Sequence, residues 1–596
     1  SHDFSNITVS KVTGTVTLDV NINKDISASN INNIIDKFDV ASGSTLTLSN
    51  SQFGTHSGIN TGTLKLSDTT LTGTQIKTIN DNSTNAIDLT NVTTISTATS
   101  SEMLEIVNNT GATFTTAANY AVTISDTVSA TVANTIVNDT TGIVTATVTS
   151  GTAASLNSAL VNASATDALT LTLTDTVLAS GSDLIALNNK TSVDVNAGTV
   201  TSITDTYANI NAIYSGTGIS GLGNEAVTIS DTTSAANVNG ILSKTSGVVT
   251  ATVSSDTASN LNTALTNATS SDALTLSVTG TAAATDLNSL DGKTSVNVIV
   301  NATSVTGNFS DLNTLYVTNQ ANFSSLGDEA VTISDTVSAA NANTIANLTT
   351  GIVTATVTEA TAASLNSALA NASSTDALTL TLTDTALASA DDLIALDGKT
   401  SVAVNATSVT SVTDTYADIN TLYGLSGISG LGNEAVTISD TTSAANVSGI
   451  LSKTSGVVTA TVTSDTAASL NSALTNTTGN DALTLTVTGT AAATDLTALD
   501  GKTSVNVNAA SISLLTGTIV QVQAAYTANT AGTITGLADR AVKISDSSVT
   551  ATDLNNLNSA TTGSIDASSV TSISGLGSDL VGIYSASGEI SGLGTE

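Results

Sequence analysis

AVTISDTVSAANANTIANLTTG (330–351) opens a run of four similar stretches. IVTATVTEATAASLNSALANASSTD (352–376), ALTLTLTDTALASADDLIALDGKTS (377–401) and VAVNATSVTSVTDTYADINTLYGLSGISGLGNE (402–434) follow directly. Each begins with alternation: Leu378, Leu380 and Leu382 are interleaved with Thr379, Thr381 and Thr383. Period two with β-branched residues predicts a strand with one buried face. Each then passes through Asp, Ser or Thr into a short Ala/Leu/Asn segment. There Leu365 and Leu369, or Leu393 and Leu396, fall on one helical face. One strand plus one short helix cannot bury its own apolar side, but stacked copies can. The fold expected is a solenoid, a right-handed stack of coils of about 25 residues. Each coil is a parallel β-strand plus a short helix or turn; a pure parallel β-helix is the alternative. Strands at 122–125, 143–149, 168–174 and 192–196 are expected side by side in one sheet, with Val122, Val144, Leu169 and Val193 pointing inward.

The four stretches form one unit of a longer period. AVTISD begins at Ala121, Ala226, Ala330 and Ala435, and AVKISD at Ala541, spacings of 104 to 106 residues. The units at Ala226 and Ala435 match best, as do those at Ala121 and Ala330; both pairs lie 209 residues apart, the mark of a duplicated two-unit block. The chain therefore divides into an N-terminal divergent or capping region (1–62), first regular coils (63–120), four units (121–225, 226–329, 330–434 and 435–540) and a partial unit (541–596). GLGNE precedes Ala226 and Ala435, so GLGTE at 592–596 reads as a junction, and the chain as a segment of a longer array. The start SHDFSN, without Met, reads as processed or engineered.

Composition narrows the function. Of 596 residues, none is Pro, Cys or Trp and one is Met, while a 40% hydrophobic content still suffices for a core. Net charge is −35, which disfavours nucleic acid and anionic membrane surfaces. No apolar run is long enough for a membrane span. His2 and His56 are the only histidines and Arg540 the only arginine, so a nucleophilic Ser in the repeats has no His base. The reading is not an enzyme, with no cofactor and with calcium as the one candidate ion.

Calcium enters through Asp126, Asp231, Asp335, Asp440 and Asp546, which share one repeated position after a strand. Stacked carboxylates can hold the ion weakly. The competing role is capping, with Asp or the next Thr accepting an N–H at the start of the helical segment. A second ladder, Asp175 and Asp384, is broken by Gly280 and Gly489, and the GGxGxD calcium repeat is absent, so capping is favoured. Thr145, Thr147 and Thr149, with Thr170, Thr172 and Thr174, form an outward Thr face that could order water or ice, but Ser125, Asp194 and Asn196 interrupt it. Tyr207, Tyr214, Tyr316, Tyr416 and Tyr423 read as filler of a wide coil rather than a sugar platform. Lys190, Lys293, Lys399 and Lys502 read as solvated charges offsetting Asp.

The Pro-free, Cys-free, acidic Thr/Ala/Asn repeats, with their VTISDT, TLTLTDT and SGLG phrases, resemble very large repetitive bacterial cell-surface proteins of marine cyanobacterial type, S-layer-like coats and giant adhesins. The resemblance covers 63–596 in rhythm and composition. It implies an extracellular location and a structural job, as a stiff spacer or coat component. Partners are then other copies or neighbouring repeats, or a surface glycan. The alternatives are an adhesin or phage fibre binding glycan or protein along its long face, and a calcium- or ice-binding solenoid.

Overall fold

The computed structural model describes residues 17–20, 24–25 and 37–596, apart from 55, 60, 61, 179, 388 and 595. His2 lies outside the described residues. Each coil alternates a β segment with a helix: Val353–Val357 leads to Ala362–Ala368, and Ala435–Thr442 to Ala444–Leu451. The strands pair in parallel with the same segment of the next coil, and strand–helix–strand crossovers of this kind are right-handed. The helices exclude a pure β-helix. Ser and Thr start them: Thr361, Ser338, Ser443 and Thr466 each accept the N–H three residues on.

Two compact units result, and neither follows the 105-residue period. The first comprises 1–282, 286–301 and 321–324; the second comprises 283–285, 302–320 and 325–596. In the first, Thr94–Ala98, Ala121–Val128, Val144–Val148 and Ala168–Thr170 lie in one sheet, with Val122 beside Val144 and Ala146 beside Leu169. In the second, Ala386–Leu387, Ser411–Asp414, Ala435–Thr442, Val458–Val462 and Ala482–Thr484 form an equivalent sheet. Pairing begins inside the region taken as divergent: Thr17–Val20 pairs with Lys37–Val40, and Thr45–Leu48 with Thr63–Leu66, a step of only 18 residues.

The core follows the alternation. Val144, Ala146 and Val148 are buried while Thr147 between them is exposed, and Leu169, Leu171 and Leu173 are buried in the next coil. Each such Leu contributes roughly 1.5–3 kcal/mol.

Two expectations need correction. Val193 is only half-buried; Val195 and Ala197 point inward instead, while Asn196 bridges Thr172 of the preceding coil as expected and Val195–Asn196 pairs on its other side with Ile219–Ser220. After a turn at 198–199 the β side of this coil continues in a second short strand, Ser202–Asp205, on another sheet. The 33-residue stretch is also not a wide coil. Its GISGLGNE belongs to the following coil, where Ile428–Ser429 pairs with Val404–Asn405 at a step of 24. Gly430 makes that turn (φ +90°), and a Cβ there would lie 2.7 Å from the Thr407 nitrogen.

Candidate functional site

The ladder carboxylates cap helices, but those of the preceding coil rather than their own. Asp126 accepts from the Ser100 N–H and hydroxyl (2.7 and 2.6 Å), Asp231 from Tyr207 N–H (2.6 Å), Asp335 from Phe309 (2.8 Å), Asp440 from Tyr416 (2.7 Å) and Asp546 from Ile519 (2.7 Å). Each donor is the first residue of its helix, where no intrahelical partner exists and the helix dipole favours an anion. Burial works against the Asp126 charge, but the Ser100 bonds hold its pKa below the usual carboxylate range. We expect Asp335→Ala to cost about 1 kcal/mol locally and to speed hydrogen exchange at the Phe309 amide by roughly fivefold. Exchange unchanged there would mean the bond contributes nothing.

The second ladder works the same way where it is intact. Asp175 caps Ala153 and Asp384 caps Ala362, both at 2.7 Å. Where Gly280 and Gly489 replace them, an Asp appears beside the N-cap Thr of the helix itself: Asp256 and Asp465 each accept the N–H of the following Thr at 2.7 Å. The recurrent lysines hold the other end. Lys190, Lys293 and Lys399 donate to Leu160, Leu265 and Leu369 carbonyls (2.7, 2.7 and 2.9 Å), at the C-caps of the preceding helices. They are dipole-matched clamps rather than solvated partners of Asp. The helix Ala153–Ala159 is thus gripped at one end by Asp175 and at the other by Lys190, both from the next coil.

A third recurrent group lies deepest. Glu225, Glu329 and Glu434 of the GLGNE and SLGDE phrases are buried, at 0, 2 and 0% exposure. One oxygen of each accepts two N–H groups, for Glu434 those of Gly432 (2.6 Å) and Asn433 (3.0 Å). The other accepts the hydroxyl of Tyr214, Tyr316 or Tyr423. Burial and then the carboxylate push these phenols far above their ordinary pKa. The first repeat departs from this: Tyr120 occupies the Glu position and donates to Asp139 at 2.7 Å. At the same junctions Thr140, Thr245, Thr349 and Thr454 donate to the carbonyl of that Tyr or Glu, fastening one coil to the next.

Other candidates are dispersed. His56 is buried and stacked on Phe38, ring centroids 5.5 Å apart. Arg540 pairs with neighbouring Asp539 at 2.6 Å. Among the described residues one trio of acidic groups, Asp391, Asp414 and Asp418, could hold a metal. Burial opposes the Asp414 charge, yet N–H groups of Thr415 and Ala390 and the Ser389 hydroxyl keep its pKa low. Asp205 stands where Asp414 does, but Ser182 and Asn209 stand for Asp391 and Asp418 in the duplicated block, so the trio is not a repeat feature. Thr columns do align, Thr127–Thr147–Thr170 and Thr336–Thr356–Thr379, each three coils long. No described helix is long and apolar enough to cross a membrane.

No family model matches the chain, and no curated protein matches it. Two solved structures are among those that align with it. One is the plant peptide hormone receptor RGFR1 in complex with RGF2, at 10% identity over 94% of this chain and 90% of that one, with a TM-score of 0.15. The other is the leucine-rich-repeat ectodomain of the Arabidopsis receptor kinase HAESA in complex with an IDA peptide hormone, at 11% identity over 92% and 85%, also with a TM-score of 0.15.

Proposed function

We propose that this chain is a structural solenoid of the bacterial cell exterior, a stiff spacer or coat component whose partners are other copies or neighbouring repeats. The observation that carries this reading is the use of the recurrent charged residues. Asp and Lys of one coil grip both ends of the preceding helix, and a Tyr paired with a buried Glu recurs in three consecutive units. These groups are engaged in holding coil to coil, which supports a mechanical, non-catalytic role. Bonds between successive coils share load along the chain, and repeat architectures of this kind derive stability from nearest-neighbour interfaces.

Pulling the chain by its termini tests the mechanical part. Coils should release in steps of about 80 Å, the extended length of one 25-residue coil, with small forces between steps. A single all-or-none rupture of each compact unit would sink it. Antibody labelling of intact source cells tests the location; staining only after permeabilisation would reject a surface role. Saturable glycan binding on an array would favour the adhesin reading instead.

A further inference from the structure

Asn, Ser and Thr are so frequent here that Asn-x-Ser/Thr, the acceptor motif for N-linked sugar, occurs at many places. Recurrence and exposure separate four of them from the rest. Asn162-Ala-Ser, Asn267-Ala-Thr, Asn371-Ala-Ser and Asn476-Thr-Thr hold one position in all four units, at steps of 105, 104 and 105 residues. The middle residue varies and the third alternates between Ser and Thr, while Asn is constant. A second position is not kept: Asn301-Ala-Thr and Asn405-Ala-Thr correspond to Asn196-Ala-Gly and Asn508-Ala-Ala.

All four lie exposed in the bend that follows a helix: Ala153–Ala159, Ala258–Ala264, Ala362–Ala368 and Ala467–Ala473. The fold holds the bend rather than the amide. The backbone N–H groups of Asn162, Asn267 and Asn371 donate to the side chains of Asn134, Asn239 and Asn343 at 2.7, 2.8 and 2.7 Å. The Lys clamps fix the Leu160, Leu265 and Leu369 carbonyls two residues earlier. The Asn267 side chain reaches the Asn239 carbonyl only at 3.5 Å, and that of Asn476 the Ser448 carbonyl at 3.2 Å. Among the described residues, nothing bonds to the side-chain amides of Asn162 and Asn371. Beside Asn162 lies an open cleft of about 550 Å³, lined also by Asn138, Asp139, Thr141 and Thr166, with room for a first sugar ring.

Other copies of the motif are closed. Thr140, Thr191 and Thr349, the third residues at Asn138, Asn189 and Asn347, are 8, 4 and 8% exposed and give their hydroxyls to the Tyr120, Leu169 and Glu329 carbonyls. That hydroxyl is part of what the motif presents to a transferase, so the folded chain hides it there. Ser164, Thr269, Ser373 and Thr478 are exposed instead, and their hydroxyl bonds to Asp167, Asp272, Asp376 and Asp481 can be exchanged for another partner at little cost. We propose that Asn162, Asn267, Asn371 and Asn476 are N-glycosylation sites, one in each unit. The donor is a sugar activated as a diphosphate ester, on a lipid or on a nucleotide. Asn Nδ2 bonds to the sugar C1, the C1–O bond breaks, the diphosphate leaves with the electron pair, and the amide proton passes to a base of the transferase. The sugar projects from the bend and leaves strands and clamps intact. The proposal holds whether or not the chain is a surface spacer, which antibody labelling tests separately.

The test incubates the folded 596-residue chain with a lipid-linked oligosaccharide and its transferase, or with UDP-glucose and an N-glucosyltransferase, and weighs the resulting peptides. At least one arm should add one glycan at each of the four Asn, with occupancy at Asn138, Asn189 and Asn347 lower by about tenfold or more. The arm that works names the donor. Asn162→Gln should remove one increment and leave the melting temperature unchanged, since that side chain holds no part of the fold. The same four peptides from chain purified from its source cells should carry a glycan. No addition in either arm, equal occupancy at the closed motifs, or four unmodified Asn in the natural chain would each overturn the proposal.

Discussion

Glu434→Ala is expected to destabilise the second compact unit by about 3–5 kcal/mol. The carboxylate is fully buried and accepts three hydrogen bonds, from the Gly432 and Asn433 N–H groups and the Tyr423 hydroxyl. Bonds to a charged acceptor contribute about 1.5–3 kcal/mol each, and donors left without a partner in a buried place cost about 1–3 kcal/mol. The contributions are not additive, because the three donors share one acceptor group. Glu434→Gln separates charge from shape. Its single oxygen can still accept the two N–H groups while its NH₂ donates to the Tyr423 oxygen, so the cost should fall to about 1–2 kcal/mol. In a chain of coupled coils the loss appears locally, as faster hydrogen exchange and new proteolytic cleavage near 424–442. If Glu434→Ala leaves both unchanged, the carboxylate is not holding the junction.

That group shows where the sequence was opaque. Alternation in VTATV and LTLTLT gave the strands and their inward faces, because a period of two can be satisfied in only one register. Leu365 and Leu369 likewise announced their helix. Glu434 did not announce itself: in GLGNE it sits among glycines, where an acidic residue reads as a solvated loop, and charged residues are rarely buried. The signal available was a Tyr 11 residues upstream of both Glu225 and Glu434. The spacing alone does not reveal the bond, because a Tyr in a long stretch equally suits a filler role, and the coil is not wide. The Asp ladder reads as capping, but its recipient is not legible in the sequence. Asp440 lies two residues before Thr442 on its own strand and reaches Tyr416, 24 residues back, because stacking places an earlier helix start beside it. The Lys clamps are illegible for the same reason, since Lys190 and Leu160 lie 30 residues apart in sequence. Periodicity within a coil is local and legible; bonds between coils depend on registration, which sequence spacing alone leaves open.

Alkaline pH should unfold both units through their buried tyrosines. Tyr120 lies in the first and Tyr316 in the second, at 1 and 0% exposure. Burial first, and then Asp139 or Glu329, pushes each phenol far above its ordinary value of 10.0. The sign follows from linkage. A group whose pKa is raised on folding adds stability that is complete below the unfolded pKa and disappears as pH rises toward the folded one. Below about pH 10 both states keep the proton and stability is flat. Above it the unfolded chain releases the proton and the folded chain does not, so each unit loses about 1.4 kcal/mol per pH unit from this one residue. Two pH units remove about 3 kcal/mol from each. Absorbance of the phenolate and circular dichroism, followed together from pH 9 to 12, should show the buried tyrosines ionising only as secondary structure is lost. Lysines lose charge over the same range, so the decisive comparison is Tyr120→Phe and Tyr316→Phe. Each variant should be less stable at pH 8, having lost a hydrogen bond, yet show a shallower loss of stability above pH 10 in its own unit. If all eight tyrosines of the wild type ionise near pH 10 with the dichroism unchanged, the phenols are not sealed between coils and the junctions are looser than their geometry indicates.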